Sequence, residues 1–239
     1  MPRIILPDIA PELEEINITS PEHIRYVRNV LRLNEGAEID VLDGKGGIFK
    51  GRIISIKRHS IRIRVLKRKQ QEESGKWLVL IQPLLKGDKM DLVLQKCTEL
   101  GISEIYPVVT ERTIPRMTRK LPHWRRVVEE ATKQSGRTVV PQIHEVSDIL
   151  QVLKKFADID CIKIAFHEKA TGLLRSIDYT KVPHSIVYLT GPEGGLSEKE
   201  AAEAEASGFR IVSLGSNILR AETASIVSLA LIKYHFGLM

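Results

Sequence analysis

Three short runs constrain the fold more than anything else in the chain: CIKIAF at 161–166, SIVYL at 185–189 and RIVSL at 210–214. The first two are too continuously apolar for strands with one solvated face. They predict strands buried on both faces, as in a parallel sheet, and the third continues the series. Parallel neighbours need crossover connections rather than hairpins, and helix-like segments lie at suitable places upstream. Residues 90–100 carry Met90, Val93, Leu94 and Cys97 at helical spacing. Residues 123–134 and 148–156 read as helices too, the latter capped by Ser147, while 77–81 and 105–109 read as further strands. This alternation predicts an α/β domain with a mostly parallel sheet.

The first seventy residues have a different grammar. Residues 38–42 alternate, Asp43-Gly44-Lys45-Gly46-Gly47 supplies a glycine-rich hairpin turn, and 48–56 returns. Ile61, Ile63 and Val65 then alternate with Arg62 and Arg64, so one face is core and the other cationic. One short helix precedes these strands, with Ser20 as cap and Pro21 at its first position. It places Ile24, Val27, Val30 and Leu31 on one side, and Arg25, Arg28 and Arg32 on the other. The polar stretch KRKQQEESGK at 67–76 is the natural linker. We therefore expect a small β-rich domain over 1–72 and an α/β domain over 73–239.

The net charge is +6, and its distribution points to a polyanionic partner. Residues 57–69 hold seven Lys or Arg and no acid, and a second basic cluster runs from Arg112 to Arg137. Each cluster alone reads equally as a solvated face; together they favour nucleic acid. Aromatic residues make up 5 %, too few for a base-stacking platform, so phosphate contacts and shape readout are expected. Cys97 and Cys161 sit in apolar settings and read as buried hydrophobes. His23, His123 and His167 share no metal-ligand spacing, so no metal is expected. No apolar run approaches membrane-spanning length and the N-terminus lacks a signal-peptide pattern, which implies a cytoplasmic protein and no membrane partner.

Ligands of open α/β sheets bind beyond the carboxyl ends of the strands, and three strands here end in marked loops. The strand at 185–189 runs through Leu189 into Thr190-Gly191-Pro192-Glu193-Gly194-Gly195-Leu196, after which Ser197 and Glu200 form a capping box. The strand at 210–214 ends in Leu214 and runs into Gly215-Ser216-Asn217-Ile218-Leu219, and Arg220 then opens the last helix. The strand at 161–166 ends in His167-Glu168. The first loop matches neither dinucleotide nor P-loop spacing, and Glu193 would repel a phosphate or occupy its backbone amides. A nucleoside with a positive centre fits better, since glycines let main-chain groups read a base edge and a carboxylate suits a cation. S-adenosyl-L-methionine has those parts. A plain strand-to-helix turn is the competing reading of the loop.

At these residues the chain resembles the RsmE family of 16S rRNA uridine-N3 methyltransferases, of the SPOUT (trefoil-knot) class. LTGPEGGLSEKE, LGSNILRAETA, KCTELGISEIYPVVTERT and HWRRVVEEATKQSGR look like its signatures, and YVRNVLRLNEG resembles its N-terminal segment. Tyr26 stands where the family usually has His, and Asn217 where Arg often precedes ILR. The resemblance implies a PUA-like β-barrel joined to a knotted α/β domain. It implies a homodimer whose substrate is one uridine in the decoding region of 16S rRNA, within the small ribosomal subunit. It also implies a cofactor held by the three loops: His167, Leu189, Thr190, Gly191, Pro192, Glu193, Gly195, Leu214, Gly215, Asn217, Ile218 and Leu219.

Methyl transfer to uracil N3 needs its proton removed and the developing anion stabilised. Arg220 is the expected cation, because a guanidinium cannot act as a base at ordinary pH; a structural ion pair with Glu193 or Glu222 is its alternative. Glu193 is the candidate base. Arg25, Arg28, Arg32, Arg62, Arg64, Arg112, Arg116 and Arg137 are the expected phosphate contacts. Action on tRNA or 23S rRNA, or a non-catalytic role in ribosome assembly, are the competing functions.

Overall fold

The computed structural model describes residues 1–7, 9–71, 77–114, 118–178 and 183–239. The chain divides into two compact units, Met1–Ser74 with Thr132–Val140, and Gly75–Ala131 with Pro141–Met239. The expected boundary at residue 73 lies outside the described residues. The return of 132–140 to the first unit was not expected. It follows from backbone pairing, since Val140 N–H donates to Gly44 and Gly46 N–H to Thr138, binding the segment to the 43–47 turn.

The first unit is a five-stranded mixed sheet of β1 (Arg3–Ile5), β2 (Glu15–Ile18), β3 (Glu38–Leu42), β4 (Gly47–Lys57) and β5 (Ser60–Gln70), in the order β1-β3-β4-β5-β2. The Asp43 carboxylate accepts from the amides of Lys45 and Gly47 and so shapes the predicted β3–β4 turn. Ile61 and Ile63 are fully buried beside Ile39, Val41 and Ile53, as the alternation predicts. The first four residues of the expected linker are strand: 67–70 pair with 47–50 of β4. Their polarity reflects an exposed ribbon, not an unstructured one.

Helix α1 (Pro21–Arg25) starts at Ser20, but the serine hydroxyl makes no capping hydrogen bond. From Tyr26 to Val30 it widens into a π turn, closed by Leu31 N–H to Tyr26 C=O at 2.9 Å. The extra residue per turn shifts the phase. Ile24 and Val27 remain buried, but Val30, expected inside, is 63 % exposed. Arg32 ends the turn at φ 51°, the one described residue other than glycine in the left-handed region.

The second unit is a seven-stranded sheet of β6 (Trp77–Pro83), β7 (Glu104–Val109), β8 (Gln142–Ile143), β9 (Ser147–Asp148), β10 (Ile162–Phe166), β11 (Ser185–Leu189) and β12 (Arg210–Val212). Its order is β12-β10-β11-β6-β7-β8, with β9 also on β7, and every pairing is parallel. Helices α2 (Lys89–Glu99), α3 (Leu121–Ser135), α4 (Ile149–Ala157), α5 (Glu198–Ala206) and α6 (Ala221–His235) make the connections or close the chain. The cap of α4 is Asp148, whose side chain accepts from Leu150 N–H, not the expected Ser147, which lies in β9. Cys97 is fully buried, and burial pushes its thiol up to about 12, which makes it inert. Cys161 is half-buried. After edge strand β12, α6 returns across the sheet to pack against α2 and β11. No helix among the described residues is long and apolar enough to cross a membrane.

Candidate active site

Because every strand of the second sheet is parallel, all carboxyl ends face one edge, and the three marked loops meet there. They enclose a cavity of about 500 Å³. Its lining includes His167, Thr190, Gly191, Pro192, Glu193 and Gly195 from the first two loops, and Leu214, Gly215, Asn217, Ile218, Leu219 and Arg220 from the third. Of the expected cofactor residues only Leu189 is absent from the wall; it is fully buried at the end of β11.

The loop after β11 must pass very close to itself. A Cβ on Gly191 would lie 3.0 Å from the Leu196 amide nitrogen, and Gly195 has φ +70° with the Glu168 carboxylate 2.9 Å from where its Cβ would be. Glycine is therefore dictated at both positions by sterics. The predicted capping box is present, with Ser197 and Glu200 bonding each other's backbone amides. The second oxygen of Glu200 also accepts from Glu111 N–H at 2.7 Å.

Below the loop lies a buried chain of hydroxyls. Ser225 Oγ is 2.7 Å from Gln82 Oε1 and 2.9 Å from Thr190 Oγ1. The Gln82 amide nitrogen donates to Pro83 C=O, which leaves its oxygen as a pure acceptor. Ser225 has one proton and two acceptor-only neighbours, Gln82 Oε1 and the Ala221 carbonyl at 3.0 Å, so Thr190 donates to Ser225. The direction of the chain is set, and it fastens β6, β11 and α6 together under the cavity.

The charged rim differs from expectation. Glu193 Oε1 accepts from Lys86 N–H and from Lys89 Nζ, each at 3.1 Å. Burial works to raise its pKa, but the Lys86 amide and Lys89 outweigh that and hold it below the ordinary glutamate value. A carboxylate so committed is a poor base. Lys89 Nζ also lies 3.7 Å from Glu222, a buried acid whose Oε2 makes no hydrogen bond. Lys89 thus fills the structural role considered for Arg220. Among the described residues Arg220 forms no ion pair; it is exposed at the cavity wall, at the position before α6. Lys89 was missed because nothing local marks it; the only signal was its position just past the end of β6.

The expected phosphate contacts are scattered. Arg112 braces the glycine loop, donating to Gly194 C=O at 2.9 Å. Arg62 and Arg64 lie 3.9 and 3.5 Å from the same carboxylate, Glu15. Arg137 is half-buried and already engaged. Arg116 lies outside the described residues. Arg25, Arg28 and Arg32 are exposed and unpaired among the described residues.

Residues 72–233 match the RNA methyltransferase domain family, and residues 18–66 match the RNA methyltransferase PUA domain. A Ribosomal RNA small subunit methyltransferase E from Synechocystis is 33 % identical over 93 % of this chain and 75 % of its own length. One from Rickettsia conorii is 31 % identical over 97 % of this chain and 94 % of its own. The crystal structure of a Ribosomal RNA small subunit methyltransferase E from Neisseria gonorrhoeae, bound to S-adenosyl methionine, superposes with a TM-score of 0.89. It is 33 % identical and covers 98 % of this chain and 97 % of its own. Both units thus have the fold that the motifs implied, a PUA-like sheet and a SPOUT-class α/β unit. The chain belongs to the ribosomal RNA small subunit methyltransferase E family.

Proposed function

We infer that the protein uses S-adenosylmethionine to methylate N3 of a uridine in the decoding region of 16S rRNA, acting on the small ribosomal subunit in the cytoplasm. The observation that carries this reading is the cavity at the carboxyl edge of the sheet. Its volume of about 500 Å³ is within the range of small-molecule sites. Its apolar members Leu214, Ile218 and Leu219 suit an adenine face, and the glycine-bearing main chain suits a base edge. The Glu193 carboxylate on the cavity wall disfavours a phosphate there and suits a cation-bearing nucleoside. The cofactor would supply an electrophilic methyl group.

The chain's own residues do the rest. Thr190, fixed from below by Ser225, sets the floor, and Gly191 and Gly195 bring main chain against the nucleoside. Arg220, without an ion pair among the described residues, is our candidate for stabilising charge on a uracil oxygen as N3 loses its proton. Glu193 shapes the rim, and its commitment to Lys89 removes it from the role of base. A homodimer is supported by exposed apolar groups on α6 and the cavity loop, where Tyr234 is 79 % and Ile218 87 % exposed.

The test is incubation with labelled S-adenosylmethionine and small ribosomal subunits lacking the modification, then nucleoside analysis of the digested RNA. Label in 3-methyluridine is expected. Label in another nucleoside, or only with tRNA or 23S rRNA, refutes the substrate; absence of cofactor binding refutes the enzymatic reading.

A further inference from the structure

The turn after β7 grips the glycine-bearing loop from outside the cavity. Arg112 Nη1 donates to Gly194 C=O at 2.9 Å and lies 3.5 Å from Leu196 C=O. The neighbouring Glu111 N–H donates to Glu200 Oε1 at 2.7 Å, so the same turn also holds the capping box of α5. The turn is itself closed from within. Thr110 N–H donates to Thr113 Oγ1 at 3.0 Å, the two hydroxyl oxygens are 2.7 Å apart, and Thr113 N–H returns to Thr110 C=O. Both threonines are buried, whereas Arg112 between them is exposed. Gly194 is part of the cavity wall, and Arg112 is not among the described residues of that wall.

Gly194 supplies an independent observation. Gly191 and Gly195 are required by the path of the loop, but Gly194 lies outside the left-handed region and needs no glycine for its backbone. What a side chain there would meet is Arg112: a Cβ would lie 3.2 Å from the arginine Cβ and 3.4 Å from its Cδ. The missing side chain is thus a slot in which the stem of Arg112 lies across the loop. On the other flank, Glu193 is held by Lys86 N–H and Lys89. Consecutive residues of the loop are therefore pinned from the ends of two different strands, β6 and β7. A loop with three glycines has much conformational entropy to lose when a ligand orders it. Pins that order it beforehand remove that cost from binding.

We propose that Arg112 is a positioning residue of the methyl-transfer site rather than a phosphate contact: seated in the Gly194 slot, it holds the loop in the shape that receives S-adenosylmethionine. This role rests on the reading of the cavity as the cofactor site. Arg112 acts on the cofactor only through the main chain it grips.

The test titrates S-adenosylmethionine into the full-length protein without RNA, where a phosphate contact has no influence. Arg112→Met keeps the stem and removes the donors. Its affinity for the cofactor should fall about three- to tenfold, the scale of one solvent-exposed hydrogen bond. With small ribosomal subunits as substrate, KM for the cofactor should rise by the same factor, while kcat at saturating cofactor stays within about twofold of wild type. The salt dependence of subunit binding should be unchanged. Gly194→Ala fills the slot and leaves the guanidinium in place. It should weaken cofactor binding as well, and the double variant should bind no worse than the weaker single one. A loss below about threefold in Arg112→Met would overturn the brace and leave the cofactor site standing. A salt slope shallowed by about 0.7–0.9, the value of one phosphate contact, would return Arg112 to the RNA interface and overturn its assignment. Losses that multiply in the double variant would overturn the slot. Wild-type protein that does not bind S-adenosylmethionine would overturn the cofactor reading of the cavity and the brace with it.

Discussion

Replacing Lys89 by methionine asks whether the rim of the cavity is held by charge. Lys89 Nζ is 3.1 Å from Glu193 and 3.7 Å from Glu222. At the longer distance the gross attraction is about 4 kcal/mol for an effective dielectric near 20. The net value is much smaller, because the lysine side chain is 36 % exposed and screened by solvent. As a part-exposed pair, Glu193 contributes about 0.5–1 kcal/mol. Glu222, with only 10 % of its side chain exposed, contributes about 1 kcal/mol, since methionine would strand a buried carboxylate. The expected loss is about 1.5–2 kcal/mol, or a fall of about 3–8 °C in melting temperature for a chain of this size. The pH dependence separates charge from packing. Glu193 has its folded pKa depressed, so its contribution is complete above the unfolded value of about 4.3 and is lost as pH falls through the folded value. Calorimetry at pH 7 and in steps below pH 4.5 should show the gap between wild type and K89M closing in acid. A gap constant with pH would mean that a difference in packing, not the ion pairs, sets the stability, and no gap at pH 7 would refute the argument outright.

Gly191→Ala should fold but bind S-adenosylmethionine at least tenfold more weakly by titration calorimetry, because its Cβ meets backbone at 3.0 Å. Ser225→Ala should cost about 1–3 kcal/mol in urea unfolding, as the acceptor of Gln82 and the donor of Thr190 both lose their buried partner. Arg220→Ala should leave cofactor affinity near wild type and lower kcat by about 10²–10³, the scale for losing one transition-state donor. A kcat within threefold of wild type would remove Arg220 from the chemistry.

What the sequence disclosed was local, and what it hid was long-range. The continuous run at 185–189 predicted β11 to the residue, and the capping box at Ser197–Glu200 formed as written, because both depend on neighbours a few positions away. The cavity loops were legible for the same reason. Lys89 was not, since its meaning comes from an acid 104 residues distant. Arg112 read as a phosphate contact because the carbonyl it grips lies 82 residues away. Val30 was misplaced by assuming 3.6 residues per turn through a π turn. Residues 67–70 were taken for linker because an exposed two-stranded ribbon and a disordered tether share a composition.

The passage of α6 back across the sheet also sets an order of assembly. Among the described residues the cavity's walls come from 166–168, 190–195, 213–215, 217–221 and Ala224, with Lys89 from earlier in the chain. Likewise, the N-terminal unit cannot be completed until residues 132–140 have been made. A chain growing from its N-terminus therefore has no finished cavity until residues as far as Ala224 have emerged. A product cut short before Gly215 lacks one whole wall of the cavity.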